Sequence, residues 1–171
     1  MLLSSVCKRL KPLNELDGSA LQQRTSNSFP SRIDNSDEVR IRRKMYTKLN
    51  DNELMVKVDV QGKADDYIST IVFTDVEFSD VKDPEAVRVN ELYIKPLKAN
   101  QDVRVHCTCP DFRWTFSWPN KSNNALQGDP APAYNRTTNR PPRNPTNSAG
   151  LCKHLIKSYL DVNNEHLVGG F

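Results

Sequence analysis

The most regular stretch of the chain is residues 53–60, where Leu54, Val56, Val58 and Val60 alternate with Glu53, Met55, Lys57 and Asp59 before the run ends at Gln61-Gly62. An apolar residue at every second position is the pattern of a strand with one face buried. Residues 67–78 form a second run rich in β-branched and aromatic side chains, and the short connection between the two predicts neighbouring strands. Val87-Arg88-Val89, Leu92-Tyr93-Ile94 and the alternating Val103-Arg104-Val105-His106-Cys107 are expected to complete one small antiparallel sheet. After residue 150 the period changes. Leu151, Leu155, Ile156, Tyr159 and Leu160 fall on one helical stripe, which predicts a C-terminal helix over 151–162 lying on the sheet.

Two stretches carry neither period. Residues 1–37 are polar and interrupted by Pro12, Gly18 and Pro30, with a short helix expected around 13–24. They read as an extended N-terminal arm that orders against a partner, leaving 38–171 as the folded domain. Residues 114–148 contain six prolines and many asparagines. This insert predicts a long irregular loop, and loops of that length in compact domains are functional or unstructured. The fold class expected is therefore α+β: a small antiparallel sheet, a C-terminal helix and a long irregular loop.

Three of the four cysteines fall into a paired pattern, Cys107-Thr108-Cys109 and Cys152-Lys153-His154. Three thiolates and one imidazole are the ligand set of a tetrahedral structural zinc centre with no position left for water. Side chains two apart on a strand share a face, so Cys107 and Cys109 can converge on one ion. Two residues apart on a helix diverge, so Cys152 is expected just before the first turn and His154 within it. A helix N-terminus also favours a nearby thiolate. His106 alternates away from Cys107 and reads as a neighbour, and Cys7 as a bystander thiol. A disulfide between Cys107 and Cys109 would be badly strained. The expectation is one structural Zn2+ per chain on Cys107, Cys109, Cys152 and His154, a Cys3His knot fastening helix to sheet and supplying part of the folding energy.

These residues resemble a known family. Cys107-Thr108-Cys109-Pro110-Asp111-Phe112 and Gly150-Leu151-Cys152-Lys153-His154-Leu155 are similar to the two halves of the SWIM zinc finger, over residues 101–162. The resemblance implies a small β-β-α zinc module that binds DNA or protein and usually rides on a larger protein. The 42 residues between Cys109 and Cys152 exceed the usual SWIM insert. This long form, with Arg113-Trp114-Thr115-Phe116 after the first half-site, resembles small proteins of tailed bacteriophages, which implies a virion component near the neck, tail or baseplate.

Charge adds a division. Residues 50–91 hold eleven acids against four bases, residues 104–157 eight bases against two acids, and the first 49 residues ten bases against five acids. Such asymmetry steers partners and lets neighbouring copies dock. Within the insert, Arg113, Trp114, Phe116, Trp118, Tyr134, Arg136, Arg140 and Arg143 mix cations with aromatics. That composition suits a protein interface, a single-stranded nucleic-acid platform, or a roof over the zinc. Enzyme classes fare poorly: only three histidines occur, no nucleophile elbow, phosphate loop or HExxH helix is present, and Asp59, Asp65 and Asp66 read as solvated strand ends. No apolar run reaches spanning length, and residues 1–9 are too short in their apolar part for a secretory signal and carry their charges on the wrong side of it. The sequence thus predicts a cytoplasmically made, non-secreted, non-enzymatic structural or adaptor module whose partner is another protein or a sister subunit, with no membrane or small-molecule substrate. Nucleic-acid binding is the alternative.

Overall fold

A computed structural model of the chain describes residues 35–62, 64–81, 83–97, 101–132, 144, 147 and 149–165. Its described strands are β1 (Arg40–Asn50), β2 (Glu53–Gln61), β3 (Asp66–Phe73), β4 (Val87–Val89), β5 (Leu92–Ile94) and β6 (Val103–Cys107). The helices are α1 (Pro110–Thr115), α2 (Ser117–Ser122) and α3 (Lys153–Asn164). Four strands form one antiparallel sheet in the order β1-β2-β3-β6.

The alternation in β2 has the expected physical origin. Leu54, Val56, Val58 and Val60 are fully buried, and the register sets Leu54 beside Phe73, Val56 beside Ile71 and Val58 beside Ser69. On the far side of β3, Phe73 meets Val103, Ile71 meets Val105 and Ser69 meets Cys107. One apolar face thus runs across three strands and ends at a thiol. α3 covers that face, burying Leu155, Ile156, Tyr159 and Val162. Ser69 and Ser158 share a hydrogen bond where helix and sheet meet, and Ser158 Oγ also donates to the His154 carbonyl at 2.9 Å. At the other end of α3, Lys44 forms ion pairs with Asp161 and Glu165, and the Tyr46 hydroxyl donates to Glu165. The sheet, α3 and α1 share one core, in which Phe112 is buried beside Cys107 and Cys109.

Three features depart from the sequence expectation. β1 has no apolar alternation, yet pairs with β2 from Arg40↔Gln61 to Asn50↔Glu53. It is an edge strand held by its ladder and by the turn after it, where the Asn52 N–H donates to Asn50 Oδ1 at 3.0 Å. The run 67–78 is not one strand: β3 stops at Phe73, and Asp75 takes a left-handed φ of 55° that turns the chain away. β4 and β5 then form their own hairpin, not part of the main sheet, around Asn90 at φ 55°. This hairpin side of the fold is tied to the β1–β2 turn, with the Val76 N–H donating to the Asn52 carbonyl at 2.9 Å.

The insert opens with structure. Cys109 caps α1 and Pro110 occupies its first turn, a position where the missing N–H costs nothing. α2 follows, and the chain returns to β6, where the Val105 N–H donates to the Ala125 carbonyl at 2.9 Å and the Gln127 N–H to the Val105 carbonyl at 3.1 Å. Residues 128–132, just beyond this return, carry no regular secondary structure. Residues 1–34 of the expected arm lie outside the described residues. No helix among the described residues is long and apolar enough to cross a membrane.

Candidate metal centre

Each ligand is positioned by the end of an element. Cys107 closes β6 on the buried face. Cys109 is the N-cap of α1, with φ −70° and ψ 150°, and its Sγ accepts the Phe112 N–H at 3.3 Å. Cys152 is the N-cap of α3, with φ −82° and ψ 167°, and His154 lies one turn-step inside. The helix begins at Lys153, slightly later than the apolar stripe suggests, which leaves Cys152 in extended backbone and lets it point the same way as His154.

One ligand atom from each of Cys107, Cys109, Cys152 and His154 lies within 4.8 Å of all the others, and all four residues are buried. A tetrahedral centre with Zn–S bonds of about 2.3 Å spaces its donors about 3.8 Å apart, so the cluster is close to that closed size. None of the three cysteines is in a disulfide. The thiols compete for negative charge. Hydrogen bonds from Cys107 and then Cys152 hold the Cys109 thiol far below its ordinary value. The hydrogen bond to Cys109 pushes Cys107 up, and burial pushes Cys152 up. Three crowded thiolates therefore repel one another unless a cation joins them, which reverses the order of preference.

His154 supplies the test of fit. Its ring is buried, yet among the described residues neither Nδ1 nor Nε2 has a nitrogen or oxygen hydrogen-bond partner, and only the Cys109 thiol stands near it. An unbonded buried polar group is destabilising by roughly 1–3 kcal/mol, and a cation relieves that penalty for the one ring nitrogen whose lone pair is aimed at it. The ring is held by Tyr67, whose centroid is 4.7 Å away. Gly62 closes over it: a Cβ there would come within 3.1 Å of His154 Nε2 and 3.0 Å of Tyr67 Cε2. The Cys3His set can thus hold a metal ion, with all four ligands buried.

His106 stays outside the cluster. It faces Thr70 on the opposite side of the sheet and meets the Phe112 ring edge-on at 5.7 Å, and burial holds its imidazole below the usual range. Of the residues expected at a partner surface, Trp114 and Trp118 are exposed, Arg113 lies 4.9 Å over the Trp114 ring, and Lys121, an addition from the structure, lies 5.8 Å over Trp118. Phe116 turns inward instead. It is only 4% exposed, joins Phe112 at 6.5 Å, and abuts Gly150. Tyr134, Arg136, Arg140 and Arg143 lie outside the described residues, as does Cys7.

Sequence reasoning missed the supports. Asn120, fully buried in α2, holds the backbone beside Cys152, and nothing in its local sequence distinguishes it from the exposed asparagines around it. Gly62 carried a weak signal as a turn glycine, but its approach to His154 depends on tertiary structure. No known protein-family model, curated protein or solved structure matches the chain.

Proposed function

We propose that the chain is a non-enzymatic, zinc-stabilised structural or adaptor module of the SWIM kind, working in a protein assembly. The observation that carries this reading is the buried Cys3His cluster at the roots of a long insert. Thiolate and imidazole donors of this number favour Zn2+ over harder cations, and a site without an open position stabilises instead of catalysing. The insert roots are pinned at several points. The Ala131 N–H donates to Ser117 Oγ at 2.9 Å, and Asn144 Nδ2 donates to the Thr115 carbonyl at 3.3 Å. α1 and α2 display Trp114 and Trp118 beside those roots, and exposed tryptophans next to arginine suit a protein interface. The resemblance of the long-insert form to tailed-phage proteins supports a role as a virion component near the neck, tail or baseplate.

Mass spectrometry of purified particles of a phage encoding the chain should recover it in fixed stoichiometry; its absence from the particles would end the virion reading. The cation-on-tryptophan pairs also suit single-stranded nucleic acid. Fluorescence anisotropy with short oligonucleotides separates the two. Tight binding that weakens by orders of magnitude between 50 and 200 mM salt, roughly the behaviour of several phosphate contacts, would replace the protein-assembly reading with the nucleic-acid one.

A further inference from the structure

Two adjacent residues at the start of β3 hold the two half-sites. Ile68 holds the first. Its carbonyl accepts the Thr108 N–H at 3.0 Å, and its own N–H donates to Thr108 Oγ1 at 3.0 Å. The β3–β6 ladder ends at Ser69↔Cys107, so these two bonds carry it one step further and fix the residue between Cys107 and Cys109. The Thr108 hydroxyl takes the place of a strand carbonyl, which lets the backbone leave the sheet at Cys109 with the Ile68 N–H still satisfied. Tyr67 holds the second half-site, its ring lying 4.7 Å from that of His154.

The two grips differ in kind. Ile68 acts through its backbone, whereas Tyr67 acts through a side chain that only partly leaves water. Among the described residues, Phe112, Leu155 and Ile156 share one core with the three cysteines and are 1% exposed or less, while Tyr67 is partly buried and packs against that core. Its hydroxyl donates to Asp65 Oδ2 at 3.2 Å in an exposed setting, where water competes for both groups and the net bond is weak. Gly62 adds no bulk to this cover: a Cβ there would meet Tyr67 Cε2 at 3.0 Å and His154 Nε2 at 3.1 Å. On this side His154 is thus covered by one aromatic ring and a strip of backbone.

We infer that Tyr67 is the gate of the metal centre: in the folded chain the ion passes when this ring swings off His154, while the sheet and α3 keep their places. The inference rests on the reading of the Cys3His cluster as a zinc site and adds how that ion is exchanged. Turning one side chain breaks no backbone hydrogen bond and exposes little apolar surface, so it costs far less than lifting α3 from the sheet. Rotation of a partly exposed side chain is also faster than the opening of packed elements. The first half-site, clasped through Thr108, stays in register throughout.

The rate of zinc loss from the full, zinc-loaded chain into excess chelator, followed across urea concentrations below the unfolding transition, tests it. Escape through the gate exposes little surface, so the rate should be nearly flat in urea, whereas escape by unfolding would climb steeply. Tyr67→Ala should speed the loss about tenfold, the scale of a lost aromatic pair, and keep the flat dependence. Asp65→Ala, at an exposed position where substitution leaves the fold intact, frees the phenol but keeps the ring and should speed the loss about threefold. Asn120→Ala, which loosens the second half-site from behind, should instead speed it only in step with its lower urea midpoint. A wild-type rate that climbs with urea as steeply as unfolding does, or a folded Tyr67→Ala that loses zinc no faster, would overturn the gate. Should Tyr67→Ala fail to fold, an unchanged rate in Asp65→Ala overturns it alone. A chain that takes up no zinc ends the metal reading and the gate together, whereas a zinc-loaded chain whose loss is indifferent to Tyr67 and Asp65 ends the gate only.

Discussion

The side chain of Asn120 forms a two-bond ring with the backbone of Gly150: Asn120 Nδ2 donates to the Gly150 carbonyl at 3.0 Å, and the Gly150 N–H donates to Asn120 Oδ1 at 2.9 Å. An amide here imitates a strand partner and fixes the chain two residues before Cys152. Asn120→Ala deprives both half-buried backbone groups of their partner, at up to about 1–3 kcal/mol for each group that water does not reach. We expect a lower urea midpoint and weaker zinc retention against a chelator. Gly150→Ala should act in the same direction, since its Cβ would lie 2.6 Å from Phe116 Cε1 and overpacking of this kind is destabilising by about 1–3 kcal/mol. An unchanged midpoint in both variants would show that α2 is not what holds the second half-site.

The metal makes a sharper prediction. Elemental analysis should find one zinc per chain, and Cys109→Ser or His154→Ala should lose metal and cooperative unfolding together, while Cys7→Ser should lose neither. Structural zinc contributes about 10–16 kcal/mol of apparent binding energy in small modules at neutral pH, comparable to the whole stability of a domain. Its loss should therefore unfold the α3–sheet interface. Binding requires deprotonated ligands, so zinc should leave as the solution is acidified. Stoichiometric zinc in either ligand variant would disprove the assignment.

Ser69 and Ser158 are fully buried and bonded to one another, but among the described residues only Ser158 has a second partner, the His154 carbonyl. The two substitutions should therefore differ. Ser69→Ala leaves Ser158 satisfied, whereas Ser158→Ala leaves the Ser69 hydroxyl buried without that bond, at about 1–3 kcal/mol. Adding Ser69→Ala to Ser158→Ala should recover most of the loss in a double-mutant cycle. Simple additivity would mean that the hydroxyls do not communicate.

Alkaline pH should loosen the far end of α3. Burial and then the hydrogen bond to Glu165 raise the Tyr46 phenol well above its ordinary value. Burial alone would lower Lys44, but the hydrogen bonds to Asp161 and Glu165 override it and hold the ammonium above its usual range. Both groups keep in the folded state a proton that the unfolded chain releases near pH 10. Their contribution is therefore complete below about pH 10 and falls as pH rises beyond it. Thermal unfolding of zinc-loaded protein should show this decline, with a shallower slope in Tyr46→Phe. Equal slopes would remove Tyr46 from the account.

What could be read from residues alone follows from how local each cause is. β2 announces itself because a single buried face imposes period two on eight residues, and the Cys3His cluster does because few side chain types can bind a soft metal ion. β1 is silent: an edge strand needs only its partner's ladder, and its charged side chains serve Asp66, Asp161 and Glu165. α1 and α2 are six residues each, too short to display a helical period, and their prolines resemble those of a loop. Phe116 and Trp118 cannot be sorted into inside and outside by composition, because that choice depends on where Gly150 lies.

The bonds from Ser117 and Thr115 to either side of residues 133–143 have an evolutionary consequence. Once the roots of a loop are fixed, its closure entropy grows only with the logarithm of its length, and doubling it costs about 0.6 kcal/mol. Sequence added between Ala131 and Asn144 should therefore cost the pinned roots little, so that related chains can diverge there in length and specificity while the Cys3His module stays the same.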